Sequence, residues 1–198
     1  MNIVHFKGVT AINPEKTSKE EILQICREIA EKKGLKALNM RAVAGECGIA
    51  LGTLYNYFSD KEELLIATIS SLWQDFFHLP PQSKTNPLFS EYVETLFRNV
   101  RERISGYRDF FTSHSAVIAR DGKSRALNAM DKLTSEIRST LLEVLREDKT
   151  VAPEVFGKEL TRERFAEFVL DSMIMLLMQN KPCDTLIAVI GRTIYREI

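Results

Sequence analysis

The sequence predicts an all-α protein in which a small N-terminal helical part is joined by a long helix to a larger C-terminal helical part. Two observations lead to this prediction. Apolar residues recur at helical spacing along most of the chain, and no sustained strand-type alternation of apolar and polar residues is present. The nine glycines and six prolines of the 198-residue chain mostly stand between the periodic segments, where they mark helix ends.

Caps and glycines divide the first part of the chain into three short helices. Thr17 or Ser18 begins the first helix, since each is followed three residues later by a glutamate, and Gly34 ends it. The second and third helices are predicted at Met40–Cys47, with Asn39 as N-cap and Gly48 as the terminator, and at about 51–57. Residues 1–14 are predicted to be a mobile arm.

The long connecting helix opens at Ser59-Asp60 and ends at Pro80-Pro81, because proline does not continue a helix. A polar linker follows at 82–86. Further helices are predicted near 88–105, 107–120, 123–147, 161–180 and 185–196.

Composition limits the class of protein. Hydrophobic residues at 44% and charged residues at 27% are ordinary for a soluble globular chain. The longest nearly apolar run, Phe165–Met178, is shorter than the ~20 residues of a membrane span, so no membrane partner is expected. The N-terminus lacks a secretory signal pattern, which predicts a cytoplasmic location. Cys26, Cys47 and Cys183 lack zinc-site or disulfide spacing, so we expect buried thiols, no metal and no cofactor.

The second and third predicted helices match a helix-turn-helix. Both are too short to be stable alone, and the turn between them contains Gly48 and Ile49. The residues predicted to pack against the first helix are Leu38, Val43, Ala44, Ile49, Leu54 and Phe58. The residues predicted to face outward are Leu51, Gly52, Thr53, Tyr55, Asn56 and Tyr57. Hydroxyl groups, a helix N-terminus and a glycine that allows close backbone approach suit the phosphates and base edges of DNA.

The run from Ala37 to Leu65, ALNMRAVAGECGIALGTLYNYFSDKEELL, closely resembles the signature of the tetracycline-repressor (TetR/AcrR) family of bacterial transcriptional regulators. The matching residues are Arg41, Val43-Ala44, Gly48-Ile49, Gly52-Thr53-Leu54-Tyr55, Tyr57-Phe58 and Lys61 to Leu65. The resemblance implies a DNA-binding helix-turn-helix domain at 15–61 and a helical ligand-binding and dimerisation domain at 62–198. It also implies a double-stranded DNA operator, a homodimer partner and an unidentified small-molecule effector.

The same resemblance implies a role for individual side chains. Arg41 would approach a base edge or a phosphate from the second helix. Thr53, Tyr55 and Tyr57 would contact the DNA backbone, and Lys61 would reach a phosphate from the start of the fourth helix. For Tyr55 in particular, a half-buried ring that packs inside the small domain is the alternative.

Three residues depart from the family pattern. Ala50 stands where a capping Ser or Thr is usual, so the third helix lacks a cap worth roughly 1 kcal/mol. Leu51 places an apolar side chain at a base-facing position, which suggests contact with a thymine methyl group. Met40 replaces the usual hydroxyl residue. The operator sequence of better-known relatives therefore does not transfer to this chain.

The C-terminal part shows helical periodicity without a motif. The segment Phe168–Met178 is apolar on nearly all sides, so this helix is expected to be buried all round. The favoured interpretation is a symmetric dimer interface of four helices, two from each chain, and the alternative is a monomeric core. The last helix contributes the apolar residues Leu186, Ile187, Val189, Ile190 and Ile194.

A ligand pocket is expected among the fourth to eighth helices, which are rich in aromatic residues. The candidate lining residues are Trp73, Phe77, Tyr92, Phe110 and His114, with Phe89, Phe97, Phe111 and Met130 also available. Aromatic residues at helical spacing fit ordinary core packing as well. His114 is not expected to bind a metal, because no second ligand stands four residues away.

The sequence is therefore interpreted as a ligand-responsive, sequence-specific DNA-binding transcriptional regulator, a repressor that a small molecule releases from a palindromic operator. The alternative is a DNA-bound structural or partner-binding protein of the same fold without an inducer. An enzyme is not expected, because catalytic motifs are absent and the three histidines are scattered. The net charge of zero gives no support to DNA binding, although nine basic and seven acidic residues precede Glu62.

Overall fold

The computed structural model describes residues 17–78, 88–107, 110 and 123–196, without the side chains of 123–127, 129, 130 and 133. Regular structure within these residues is helical and includes no strand, which confirms the all-α prediction. The α-helices are α1 (Lys19–Lys33), α2 (Met40–Cys47), α3 (Leu51–Tyr55), α4 (Lys61–Phe77), α5 (Phe89–Ser105), α6 (Lys123–Glu147), α7 (Arg162–Met178) and α8 (Asp184–Ile194). Single 3-10 turns lie at Leu35–Ala37 and Pro153–Val155.

The third helix is shorter than the sequence predicts, since α3 ends at Tyr55 and the prediction extended to Tyr57. The carbonyl of Leu54 accepts the N–H of Tyr57 at 3.0 Å and the N–H of Phe58 at 3.1 Å, so the chain tightens into a turn after Tyr55. The helix predicted at 107–120 lies almost entirely outside the described residues. The mobile arm predicted at 1–14 lies wholly outside them.

Side-chain caps fix the starts of α1 and α2. Ser18 Oγ accepts the N–H of Glu21 at 3.2 Å, and Glu21 Oε2 accepts the N–H of Ser18 at 2.8 Å, which completes a capping box. Of the two predicted caps, Thr17 and Ser18, the structure uses Ser18. Asn39 Oδ1 accepts the N–H of Ala42 at 3.0 Å and caps α2, as predicted. These bonds satisfy amides that have no partner within their own helix.

The described residues form two compact units. One unit holds the residues up to Leu72 together with those between Tyr107 and Ala126, and the other holds those of Trp73–Gly106 and from Leu127 onwards. The chain passes between the units at three points: inside α4 after Leu72, just beyond α5 after Gly106, and inside α6 after Ala126.

In the first unit, α1 contacts α2, and α2 contacts α3. The buried side of α1 carries Ile22, Leu23, Ile25, Cys26, Ile29 and Ala30. Arg27 joins α1 to the part of α4 that belongs to this unit, because its guanidinium donates to the buried hydroxyl of Ser71. The same guanidinium also pairs with Glu20 at 2.9 Å. The ammonium of Lys19 lies 4.9 Å from the ring centre of Phe58, within the range of a cation–π contact.

In the second unit, α5 contacts both α7 and α8. The buried face of α5 carries Phe89, Val93, Leu96, Phe97, Val100 and Ile104. The rings of Phe89 and Phe165 lie 6.2 Å apart between centres, which places an aromatic contact between α5 and α7. Two exposed ion pairs connect α6 to α7, Arg138 with Glu167 at 3.0 Å and Arg146 with Glu163 at 2.8 Å.

The buried carboxylate of Asp148, just beyond the end of α6, bonds to the start of α5 and to Tyr195 at the end of α8. Asp148 Oδ2 accepts the N–H of Phe89 at 2.7 Å and the hydroxyl of Tyr195 at 2.9 Å. Oδ1 accepts the N–H and the hydroxyl of Thr150 at 2.9 and 2.6 Å. Burial alone raises the pKa of Asp148, but these hydrogen bonds outweigh burial and hold that pKa below its ordinary value. The carboxylate thus supplies the N-terminal cap that α5 lacks locally.

Two of the three thiols are buried in the first unit, as expected for small apolar side chains. Burial raises the pKa of Cys26 to about 12 and that of Cys47 to about 11, whereas Cys183 is half-buried. Within the ranges given above, no helix combines the length and apolarity needed to cross a bilayer. The same ranges contain no group of three or more His, Cys, Asp or Glu side chains arranged to hold a metal ion.

We expect Asp148→Asn to lower the free energy of unfolding by about 2 to 3 kcal/mol, because buried donors lose a charged acceptor. The matched control Glu147→Gln, an exposed neighbour on α6, should change it by less than about 0.5 kcal/mol. Since the pKa of Asp148 is lowered on folding, its stabilisation is present above the unfolded pKa of ~3.9 and is lost as the pH falls further. Urea unfolding at several pH values measures both effects; equal stabilities of the two variants would contradict this role.

Candidate nucleic-acid interface

A glycine turn joins α2 to α3. Gly48 has φ 66° and ψ 26°, in the left-handed region that other residues rarely adopt. The N–H of Gly48 bonds the carbonyl of Gly45 at 3.2 Å, and the N–H of Ile49 bonds the carbonyl of Ala44 at 3.1 Å. This pair of bonds is the Schellman arrangement that closes a helix C-terminus. Ile49 is then buried, and α3 begins two residues later.

Core packing decides which side of α2 and α3 remains free. Val43, Leu54 and Phe58 have no exposed surface. All six residues predicted to pack inward, Leu38, Val43, Ala44, Ile49, Leu54 and Phe58, are buried. With five residues, α3 has little stability of its own and is held by these contacts. Its opposite face is therefore turned to solvent.

None of the eight residues predicted to bind DNA is buried. The exposed members are Arg41, Gly52, Tyr55, Asn56 and Lys61, and the half-buried members are Leu51, Thr53 and Tyr57. The exposed fraction of Tyr55 is 48%, so this ring lies outside the core. We call these eight residues the outward surface.

Tyr57 has a structural partner that the sequence did not reveal. Its hydroxyl donates a hydrogen bond to the backbone carbonyl of Thr17, the residue that precedes the cap of α1. This bond joins the end of the helix-turn-helix to the start of α1. In this conformation the hydroxyl oxygen can accept a hydrogen bond, but its proton is already engaged.

Lys61 is held at the first turn of α4 by a local capping network. Asp60 Oδ1 accepts the N–H of Glu63 at 2.7 Å. Glu63 Oε2 accepts the N–H and the hydroxyl of Ser59 at 2.8 and 2.7 Å, and these two bonds lower the pKa of Glu63. The capping fixes the backbone of the first turn, from which the exposed side chain of Lys61 extends.

The charges around the outward surface are partly balanced. Glu46 of α2 pairs with Lys33 of α1 at 2.9 Å, and the hydrogen bond with that ammonium lowers the pKa of Glu46. Arg41 and Lys61 are the basic members of the outward surface. The start of α3 has no side-chain cap at Ala50, as the sequence predicted. Recognition at this surface would therefore depend on a few placed groups more than on strong overall charge.

A separate cavity of about 240 Å³ lies in the second unit, between faces of α4, α5 and α6. Its floor consists of the buried residues Phe77, Leu96, Ile137 and Leu141, with Tyr92 half-buried beside them. Its rim carries the exposed polar residues Gln74, His78, Glu136 and Thr140. Burial raises the pKa of Tyr92, so its hydroxyl stays protonated near neutral pH.

Two of the predicted ligand-binding residues, Phe77 and Tyr92, line this cavity. Trp73 and Phe110 are each 2% exposed and do not belong to its lining. The ring of Trp73 instead packs against Phe77, with 5.6 Å between the ring centres. His114 lies outside the described residues. Aromatic content alone did not identify the polar rim, although Gln74 stands three residues before Phe77, on the same face of α4, and His78 directly follows the end of that helix.

The geometry of α2, the Gly48 turn and α3 defines a helix-turn-helix, and sequence comparison identifies its family. The model for bacterial regulatory proteins of the tetR family matches residues 22–68, from α1 into α4. This match confirms, over residues 22–68, the resemblance to the tetR family that the sequence indicated.

Curated relatives are similar to the chain over a limited length. The HTH-type transcriptional repressor KstR of Rhodococcus jostii (strain RHA1) is 37% identical over 75 residues, which are 38% of this chain and 34% of that protein. KstR of Mycobacterium tuberculosis (strain ATCC 25618 / H37Rv) is 40% identical over 55 residues, 28% of this chain and 25% of that protein. The matches thus span about a third or less of the length of these relatives.

Solved structures resemble the chain over most of its length. BioQ, in a crystal structure with its natural double-stranded DNA operator, gives a TM-score of 0.56 at 19% identity, over 84% of this chain and 88% of BioQ. The reduced form of NemR from E. coli gives a TM-score of 0.56 at 15% identity, over 90% of this chain and 98% of NemR. At this level of identity the likeness establishes a shared fold.

We expect Gly48→Ala to lower the free energy of unfolding by about 1 to 2 kcal/mol, because alanine is strained at positive φ. Gly45→Ala is the matched control: an added Cβ meets no atom within 4 Å there, and alanine favours the helix interior by roughly 0.5 to 1 kcal/mol. Thermal or urea unfolding should therefore move the two variants in opposite directions. A Gly48→Ala protein as stable as the parent would mean that the left-handed turn is not required.

Proposed function

We propose that the chain is a ligand-responsive, sequence-specific DNA-binding transcriptional regulator, and that it acts as a repressor released from a palindromic operator by a small molecule. Residues 15–61 would bind DNA, and residues 62–198 would bind the effector and form the dimer. The observation that supports DNA binding most directly is the outward surface, which is free because Leu54 and Phe58 bury the other side of the motif. The relative KstR, itself named a transcriptional repressor, supports repression as the direction of control.

The outward surface divides into groups that position the protein and groups that read sequence. Thr53, Tyr55 and Lys61 would contact phosphates, which fixes the register of the motif on the duplex. Tyr57 would join them as a hydrogen-bond acceptor or after exchanging its bond with Thr17. Arg41 and Leu51 would contact base edges, a guanine and a thymine methyl respectively.

An apolar surface on α7 and α8 supports dimerisation. Phe168, Met175 and Met178 of α7 are 50%, 53% and 42% exposed, and Val189 of the contacting helix α8 is 41% exposed. The expectation that the apolar segment is buried all round is thus not met within a single chain. Large apolar side chains grouped on neighbouring helices mark a protein interface, and a second copy of the chain would cover them.

The cavity in the second unit supports a small-molecule effector. It combines an apolar floor with a few polar groups on the rim, the usual make-up of a ligand site. An effector must bind the DNA-competent and the released conformations with different affinities, since equal affinity shifts no equilibrium. Gln74 and Phe77, which line the cavity, belong to α4, and the first turn of the same helix carries Lys61.

We expect DNA selected from a random pool by the parent protein to contain a near-palindromic consensus, because each half-site of a dimer is read by one motif. Lys61→Ala should weaken binding to all sequences about equally. It should also reduce the slope of log affinity against log salt concentration by roughly one. Arg41→Ala should cost about 1 to 3 kcal/mol on the selected site and relax the preference at one base pair per half-site.

Lys32→Ala is the control for these two variants, since it removes one exposed charge from α1, where Lys32 pairs with Glu28 at 3.6 Å. It should leave the consensus and the affinity almost unchanged. A pool without a palindromic consensus, or a consensus altered by Lys61→Ala and kept by Arg41→Ala, would contradict the proposed roles.

We expect the parent protein to sediment at about twice the 22.6-kDa chain mass, and Met175→Lys to shift it towards the monomer. A charge in the centre of an apolar interface is costly to bury without a partner. Ser139→Lys introduces the same charge on the exposed side of α6 and should leave the dimer intact. Analytical ultracentrifugation at micromolar concentration measures this; a monomeric parent would rule out the interface.

A further inference from the structure

The cavity between α4, α5 and α6 carries a negative charge and no lysine or arginine among its described lining residues. The negative charge is the carboxylate of Glu136 on its rim. Across the described part of the chain, no basic side chain forms an ion pair with Glu136. By contrast, Glu163 and Glu167 of the neighbouring helix α7 are each paired with an arginine of α6. The carboxylate of Glu136 thus stands beside an apolar floor without a positive partner.

Two aromatic rings line the same cavity as this carboxylate. They belong to Tyr92 and Phe77, and the negative faces of aromatic rings attract an ammonium group. Three helices contribute to the arrangement, since Phe77 lies on α4, Tyr92 on α5 and Glu136 on α6. A carboxylate combined with aromatic rings matches the chemistry that recognises organic cations.

The size of the cavity limits the ligand. A volume of about 240 Å³ corresponds to about eight water molecules at ~30 Å³ each. One aromatic ring with a short amine-bearing chain is of this size. The apolar floor would receive the ring, and the ammonium group would lie at the rim, where Glu136 accepts its hydrogen bond.

We propose that this cavity binds a small organic cation with an apolar body, an arylalkylamine being the simplest example, and that Glu136 is the residue that selects for positive charge. This inference rests on the proposed function only in taking the cavity as the effector site. An anionic ligand would face a carboxylate and would find no lysine or arginine among the described lining residues, of which His78 is the one basic side chain. A neutral ligand of the same shape would fill the floor but would form no charge-assisted hydrogen bond.

Three probes that share a phenyl ring on a two-carbon chain test the proposal: phenethylamine, 2-phenylethanol and 3-phenylpropionate. Calorimetric titration of the DNA-free protein should show phenethylamine binding at least about tenfold tighter than 2-phenylethanol, as expected of one charge-assisted hydrogen bond. The carboxylate probe should bind most weakly. Absence of saturable phenethylamine binding, or equal or tighter binding of either other probe, would overturn the proposal.

Two variants of α6 locate the selectivity. Glu136→Gln keeps the shape of the side chain and should bring phenethylamine down to the affinity of the alcohol, about a tenfold loss. Glu143→Gln makes the same change two turns further along α6, about 10 Å away, at an exposed residue outside the cavity lining. It should leave all three affinities unchanged. Equal effects of the two substitutions would overturn the assignment of Glu136.

A separate assay of DNA release distinguishes this inference from the proposed function. Phenethylamine is added to the protein on its selected DNA, and fluorescence anisotropy reports release. Binding that depends on Glu136 without release would support the ligand class and contradict the effector role of the cavity. The other outcome is that 2-phenylethanol releases the DNA at an equal or lower concentration and that Glu136→Gln does not change this. That result would support the effector role of the cavity and contradict the ligand class.

Discussion

The burial of one face of α2 against α1, and of Leu54 and Phe58 in the core of the same unit, is the interaction on which the DNA-binding account depends. Neither α2 nor α3 is long enough to persist alone, so their structure and their orientation come from the same contacts. Leu54 and Phe58 are fully buried, and Gly48 allows the chain to reverse between the helices without strain. The outward surface is what this packing leaves uncovered, and for that reason the backbone that carries its polar groups is fixed before any DNA arrives.

Polar contacts between distant segments complete both units. In the first unit, Tyr57 joins the carbonyl of Thr17, and Arg27 joins the hydroxyl of Ser71. In the second unit, the carboxylate of Asp148 collects donors from the start of α5 and from Tyr195. Each contact satisfies a group that would be costly to bury alone, so each also fixes the relative position of the segments that it joins. The apolar surface of α7 and α8 and the carboxylate of Glu136 are two places, within the described residues, where side chains have no such internal partner.

The local features of the fold could be predicted from the sequence, because caps and turns depend on residues close to each other. Asn39 as a cap and Gly48 as a terminator are examples. The length of α3 could not be predicted in this way. The helix ends at Tyr55 because the chain turns there and buries Phe58 in the core. Asp148 and Phe89 are 59 residues apart, and the partner of Tyr57 and the surroundings of Glu136 likewise depend on tertiary structure. The family signature indicated the outward surface, but no local pattern indicated the charge of the cavity.

Photocrosslinking from the outward surface tests the central claim most directly. A benzophenone side chain in place of Tyr55, the exposed aromatic residue of α3, should form a covalent adduct with DNA selected by the protein. The same group in place of Glu31, exposed near the end of α1, serves as the comparison. The account predicts an adduct from position 55 and little from position 31. DNA binding retained by both proteins with no adduct at 55, or with the stronger adduct at 31, would contradict it.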